Sequence, residues 1–255
     1  MNNHMMAAVL YGKEHLQVEP VAVPTIGSGD ILVRVKVALT CGTDVKVFRR
    51  GYHARMIVPP AVFGHELAGD VVKVGEGVSR FSVGQRVVAA NSAPCEECFF
   101  CKRGLQNLCE DLLFNNGAYA EYIRIPARIV ERNTYVIPEH VGYQDAALVE
   151  PLACVARGFE ETAPRVGDTV AVIGLGPIGL MFVKLAKLYG CRVIAIKGPY
   201  QRTAGAGRRG DHRQRVGVSI AVTAQLHGFP QLCHSHNLPI PPSFSPGPHS
   251  QVARG

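Results

Sequence analysis

Nowhere does the 255-residue sequence sustain the roughly 18 consecutive apolar residues that a membrane-spanning helix requires, so a membrane is not an expected partner. Met1–Val9 lacks a basic stretch followed by a sustained apolar run, which argues against a secretory signal and makes cytoplasm the expectation. Lysine is missing after Lys197. Residues 198–255 hold six Arg, one Asp and no Lys, so they carry +5 of the formal charge of +7. The first 197 residues hold 21 Lys and Arg against 19 Asp and Glu. The basic character therefore belongs to the tail, whose arginines have no interleaved aromatics, and nucleic acid is not an expected partner either. Eight cysteines in a chain with no export signal point to reduced thiols used for metal or catalysis rather than disulfides.

With 47% hydrophobic and 18% charged residues the chain has globular composition, long enough for one or two domains. Strand-like runs occur at Met6–Leu16, Asp30–Leu39, Leu67–Val74, Gln85–Ala90, Ala118–Ile125 and Thr134–Ile137, separated by turn signals such as Gly75-Glu76-Gly77 and Asn115-Asn116-Gly117. Many short strands with glycine-rich turns predict a β-rich barrel. Around Tyr143 the pattern changes to helix formers, Gln144–Arg157, broken or kinked at Pro151. A buried strand, Asp168–Ile173, then runs into glycines, an amphipathic helix spans Met181–Tyr189, and a second strand spans Arg192–Ile196. This is one β-α-β unit, the opening of a doubly wound sheet.

Cys95-x2-Cys98-x2-Cys101-x7-Cys109 places four thiols within fifteen residues, enough to wrap one tetrahedral ion in the all-cysteine shell used by structural zinc. An iron–sulfur cluster is the rival. Bacterial ferredoxins begin with the same two spacings but continue with three residues and Cys-Pro, whereas here seven residues precede Cys109 and Glu110 follows it. Four unrelated thiols, or a redox pair, is the bland reading. A second set of donors is more dispersed: Cys41 after a strand, His65-Glu66 before another, and Glu150 at the opening of a helix. Cys, His and Glu suit a zinc that keeps one position open, although each alone is more often a packed thiol or a hydrogen-bonded pair.

Taken together, these residues resemble one family. Gly64-His65-Glu66-x2-Gly69-x5-Gly75-x2-Val78, the Cys41-Gly42-Thr43-Asp44 turn upstream and the four-cysteine lobe downstream follow the pattern of the zinc-dependent medium-chain alcohol and polyol dehydrogenases. The resemblance runs from about Met6 to Ile196. It implies a GroES-like barrel over residues 1–155 with a structural-zinc lobe at 91–112, then a partial Rossmann domain over 156–197. It implies Cys41, His65, Glu66 and Glu150 around a catalytic zinc, and Cys95, Cys98, Cys101 and Cys109 around a structural one, hence two Zn2+ per chain. Thr43 resembles the hydroxyl that begins the family's proton relay, and Glu66 the carboxylate in or just outside the metal shell. Glu150, with Cys-Gly-Thr-Asp, points to the sorbitol and threonine dehydrogenase branch. Many relatives carry His three residues after that Thr or close to it; this chain has Lys46 and Val47 there.

Gly174-Leu175-Gly176-Pro177-Ile178-Gly179 lies between a strand and a helix, where glycines let the backbone approach a dinucleotide pyrophosphate. Gly174, Gly176, Pro177, Ile178 and Gly179 are therefore the candidate cofactor loop for NAD or NADP. An acid is expected at the end of the next strand, but Lys197 follows Ile196 and the next acid is Asp211. Lys197 and Arg202 could instead meet an NADP 2′-phosphate. After Ile196 the periodicity ends: residues 198–255 hold eight Gly, seven Pro and five His, with Val216–Val222 as the main apolar run. That change is the one expected of a shifted reading frame or gene-model error from about Lys197, giving a truncated dehydrogenase with an irregular tail. The expected function is zinc-dependent hydride transfer between NAD(P) and a small-molecule secondary alcohol, polyol or hydroxy amino acid. The alternative is a catalytically inactive zinc-binding fragment. The resemblance implies homo-oligomers built through the cofactor domain, of which only the first β-α-β unit is read in this sequence.

Overall fold

The computed structural model describes residues 3–197. The tail, with Arg202, Asp211, Val216–Val222 and the frame-shift reading, lies outside the described residues. The chain opens with a hairpin, β1 (His4–Gly12) against β2 (His15–Ala22), and β1 also pairs with the short β4 (Ala61–Val62). The single strand expected over Met6–Leu16 is thus two, folded at Lys13-Glu14 with Glu14 at φ 54°. The expected pattern misses β2 because that strand is largely exposed and lacks an apolar face.

A second sheet forms the body of the barrel. Its strands are β3 (Ile31–Leu39), β5 (Glu66–Val74), β6 (Arg86–Ala89), β9 (Tyr122–Ile125) and β10 (Thr134–Val136), in the order β10-β6-β5-β3-β9 with every pairing antiparallel. Ile31, Val33, Val71, Val87, Ile123, Ile125 and Ile129 interlock as its core. Burying a side chain of this size removes apolar area worth about 1.5–3 kcal/mol from water. The last strand is shorter than the Ala118–Ile125 run, because Ala118 and Tyr119 bond instead to Gly64 and Phe63. Those bonds fasten this segment beside His65. Two short strands, β7 (Ser92–Ala93) and β8 (Leu113–Phe114), pair with each other and bracket the cysteine segment.

Helices close the barrel. Helix α1 (Gly42–Arg50), which the strand and helix patterns of the sequence do not predict, begins one residue after Cys41 and ends on Gly51 at φ 91°. Helix α2 (Ala127–Asn133) follows β9. The helix expected over Gln144–Arg157 is two, α3 (Tyr143–Ala146) and α4 (Val149–Thr162). Pro151 sits in the first turn of α4, where a missing N–H costs nothing, so it starts the helix rather than breaking it. Parallel strands β11 (Thr169–Ile173) and β12 (Arg192–Ile196) flank α5 (Pro177–Leu188), as the β-α-β pattern requires. Phe159 of α4 packs with Phe182, Leu185 and Ala186 of α5 and with Val170 and Val193 of the two strands. No helix among the described residues is long and apolar enough to cross a membrane.

Buried Asp30 ties the first turn of the barrel together. Its carboxylate accepts the Gly27 and Ala127 N–H groups, both at 2.9 Å, and lies 3.5 Å from the Arg124 guanidinium. Removing it leaves two backbone donors without their partner. Asp30→Ala is expected to destabilise the chain by about 1–3 kcal/mol in urea denaturation.

Candidate metal centre

Cys41 caps α1. Its sulfur accepts the Thr43 N–H at 3.4 Å, while Asp44, three residues on, returns a carboxylate oxygen to the Cys41 N–H at 2.9 Å. This is a capping box with a thiol in place of the usual hydroxyl. Thr43 is half-buried in the same turn. The box points Asp44 inward, where it is buried and meets His65. The His65 Nδ1–H donates to Asp44 Oδ1 at 2.9 Å, and the Tyr119 hydroxyl lies 2.8 Å from Asp44 Oδ2. Burial works against the Asp44 charge, but the bond and charge of His65, the Cys41 N–H and Tyr119 outweigh it and hold its pKa below the ordinary value.

His65 enters β5 from Gly64, which sits at φ 85° with the Tyr119 ring 2.5–2.7 Å from where a Cβ would stand. Glycine is required there on both counts. Burial pulls the His65 pKa down, yet the hydrogen bonds to Asp44 and Cys41 and the Asp44 and Glu150 charges carry it up to about 11. With Nδ1–H given to Asp44, Nε2 is the nitrogen that faces the other donors; it lies 4.0 Å from Glu66 Oε1. Glu66 is buried, and burial raises its pKa against the opposing effect of His65.

The structure brings Cys41, His65 and Glu66 together with one ligand atom from each inside a 4.8 Å set; Glu150 is not in that set. Glu150 stands in the first turn of α4, where burial pushes it up to about 7, the charge of His65 opposing and those of Glu66 and Asp44 adding. It is thus within electrostatic reach of the three. One helical turn on, Cys154 is pushed up to about 12 by burial and then by Glu150, Cys41 and Glu66. Sequence reasoning passed over Cys154 and Asp44. The i, i+4 spacing from Glu150 was the available signal for the first, and the Cys-x-x-Asp capping pattern for the second.

The other four thiols also meet. Cys95, Cys98, Cys101 and Cys109 place their sulfurs within 4.8 Å of one another, with Cys95–Cys109 at 3.5 Å and Cys95–Cys101 at 4.0 Å. All four are free thiols. A tetrahedron with metal–sulfur bonds of about 2.3 Å has edges of about 3.8 Å, so the spacing suits a zinc ion. Backbone N–H groups support the sulfurs: those of Glu97 and Cys98 reach Cys95 Sγ at 3.4 Å, and that of Cys95 reaches Cys109 Sγ at 3.3 Å. The N–H groups of Glu110 and Cys101 bring Cys98 down to about 6, whereas burial pushes Cys101 up to about 12 and also raises Cys109. Arg132 pairs with Glu96, Arg128 with Asp111 at 2.9 Å, and Arg55 donates to the Cys109 carbonyl at 3.3 Å, fastening the lobe to the barrel.

The Gly174–Gly179 segment runs from strand to helix as the sequence pattern predicts. Gly174 ends β11 at φ 98°, and Gly176 caps α5 with Pro177 in the first turn. A Cβ on Gly179 would collide with the Gly174 carbonyl oxygen, so the loop closes only around glycine. Lys197 follows β12 and is exposed.

Two outcomes follow from this geometry. Asp44→Ala frees the His65 ring and is expected to weaken metal binding at the Cys41 centre about 10–100-fold, with the four-cysteine lobe unaffected, in a chelator competition. Zinc uptake by the lobe should weaken as pH falls from 8 to 6. Cys101 and Cys109 keep their protons in the metal-free chain, so binding must release them, and added acid opposes that release. Affinity independent of pH would contradict the assignment.

Comparison with known proteins gives a consistent answer. Residues 27–137 match the alcohol dehydrogenase GroES-like domain. Sorbitol dehydrogenase of Bacillus subtilis (strain 168) is 34% identical over 199 residues, covering 76% of this chain and 55% of that protein. L-threonine 3-dehydrogenase of Chelativorans sp. (strain BNC1) is 38% identical over 203 residues, covering 76% and 57%. A putative zinc-binding dehydrogenase from Sinorhizobium meliloti 1021, solved bound to NADP, superposes with a TM-score of 0.69 at 33% identity, covering 75% and 56%. The chain spans a little over half the length of the curated relatives it matches. Over the residues so matched, the chain belongs to the zinc-dependent medium-chain alcohol and polyol dehydrogenase family.

Proposed function

We propose that this chain is a zinc-dependent oxidoreductase that moves hydride between a secondary alcohol, polyol or hydroxy amino acid and NAD or NADP. The observation that carries the reading is the meeting of half-buried Cys41 with buried His65 and Glu66, the imidazole being held by Asp44. Relatives named sorbitol and L-threonine dehydrogenase, and a similar structure holding NADP, support it. In this reading residues 1–155 form the catalytic domain, with the lobe at 91–112, and residues 156–197 open the nucleotide-binding domain.

The donors fit zinc at both clusters: four thiols in one, and a mixed thiol, imidazole and carboxylate set in the other. Cys41, His65 and Glu66 would hold the catalytic ion with Glu150 approaching from α4, and Cys95, Cys98, Cys101 and Cys109 the structural one. Bound there, zinc supplies Lewis-acid polarisation of a substrate oxygen. Asp44 keeps the proton on His65 Nδ1, which leaves the Nε2 lone pair for the ion. Thr43 Oγ1 is the group that would exchange a proton with the substrate hydroxyl; with Lys46 and Val47 standing where many relatives carry His, solvent or another group would serve beyond it. Gly174, Gly176, Pro177, Ile178 and Gly179 would hold the dinucleotide pyrophosphate at the N-terminus of α5, whose first N–H groups have no partner within the helix. The nicotinamide, when bound, accepts or gives the hydride.

An assay of the zinc-loaded full chain tests this. Sorbitol, butane-2,3-diol and L-threonine would each be offered with NAD and with NADP while nicotinamide absorbance is followed. Reduction with at least one substrate is expected, lost in Cys41→Ala and in chelator-treated protein, and regained by the latter on adding zinc. Absence of turnover throughout, with both ions bound, would favour the inactive zinc-binding fragment.

A further inference from the structure

Tyr119 touches both halves of the candidate catalytic centre. On one side its backbone is fastened to the segment that delivers His65. Its N–H donates to the Phe63 carbonyl at 2.8 Å, and its own carbonyl accepts the Ala8 N–H at 2.8 Å. The two residues before it, Gly117 and Ala118, give their N–H groups to the Gly64 carbonyl at 2.9 and 3.1 Å. The ring lies against Gly64, in space that any side chain there would fill, and meets the Phe63 ring edge to face with centroids 5.7 Å apart.

On the other side the hydroxyl reaches the backbone and side chain that bracket Cys41. It lies 3.0 Å from the carbonyl of Leu39, two residues before Cys41, and 2.8 Å from Asp44 Oδ2, three residues after it. A phenol has one hydrogen to give, and the carboxylate is the stronger acceptor of the two. Asp44 Oδ2 also accepts the Cys41 N–H at 2.9 Å, which leaves Oδ1 to the His65 Nδ1–H at 2.9 Å. The sheet alone does not place Cys41. Pairing of β3 with β5 ends at Leu39 against Glu66, so Cys41 lies past the last pair of the ladder.

Resting on the zinc-dehydrogenase reading above, we propose that Tyr119 is a positioning residue: by donating its hydroxyl to Asp44 it holds Cys41 at a fixed separation from His65, so that the ligand set is assembled before an ion arrives. It acts without itself being a ligand. Ordering the ligands in advance removes a cost that ion binding would otherwise carry, because a loose Cys41 must be immobilised as the ion enters. The competing account is that the ring only fills space against Gly64 and Phe63. Phenylalanine would perform that role equally well.

Tyr119→Phe separates the two, since it keeps the ring and removes only the hydroxyl. Zinc affinity is read by chelator competition on the full chain, with Cys41→Ala as the reference that retains the four-cysteine lobe alone. In Tyr119→Phe the Cys41 centre is expected to bind zinc about tenfold more weakly, as loss of a hydrogen bond to a charged group implies, with the lobe unchanged. In an Asp44→Ala background the same substitution should cost less than about twofold, because both changes break one contact. Excess zinc should refill the weakened centre, which distinguishes lost positioning from a folding defect. Unchanged affinity in Tyr119→Phe, an undiminished loss in the Asp44→Ala background, or a centre that excess zinc does not refill would each overturn the proposal and leave the dehydrogenase reading intact. A parent chain that binds zinc only at the four-cysteine lobe would overturn both.

Discussion

The candidate catalytic centre depends on one buried carboxylate. Asp44 takes the Cys41 N–H, the Tyr119 hydroxyl and the His65 Nδ1–H, and so joins the start of α1, the segment before β9 and the entry to β5 in a single network. A carboxylate in that position would be costly without partners, and all of its partners come from elements that must be correctly placed first. The requirement runs in both directions. The barrel brings Tyr119 and Gly64 face to face, and the carboxylate in turn orients the imidazole that the metal chemistry needs.

The two clusters use the same donor types under different constraints. In the lobe, backbone N–H groups point at sulfurs within a short chain segment, so the fifteen residues from Cys95 to Cys109 almost suffice to form the site, and Arg55, Arg128 and Arg132 only fasten it to the barrel. The other centre is assembled from residues far apart in the chain: Cys41 at the start of α1, and His65 and Glu66 at the entry to β5. Such a site forms only when the barrel has closed. A closed sulfur shell and an open mixed shell are what distinguish a structural from a catalytic zinc.

Much of this was legible in the residues. The four-cysteine spacing is local, and the structure brings those thiols within bonding distance of one ion. The β-α-β unit was legible because buried strands, a glycine loop and a 3.6-residue period follow one another directly. Other features were less so. Helix α1 hid behind charged residues, since Val47 is its only buried apolar side chain and the capping residue is a thiol rather than a hydroxyl. Strand β2 hid because exposure on both faces erases alternation. Pro151 was read as a break because position within the first turn, not the residue type, decides what proline does there. Glu150 was placed on the centre by resemblance, and the structure leaves it in the second rank, within reach of His65 electrostatically but outside the tight cluster. Asp44 was the main omission: its importance lies in contacts to residues 21 and 75 positions away, which no local pattern expresses.

The central claim is that one chain holds two chemically different zinc sites, and zinc X-ray absorption on the full chain tests it most directly. The Cys101→Ser variant, with its sulfur lobe impaired, should retain one ion whose scattering shell mixes sulfur with nitrogen and oxygen, while Cys41→Ala should retain one ion surrounded by sulfur at about 2.3 Å. The intact protein should give two ions and the sum of the two spectra. A single all-sulfur zinc in the intact chain, unchanged by Cys41→Ala, would contradict the account, because the Cys41, His65 and Glu66 cluster would then hold no metal.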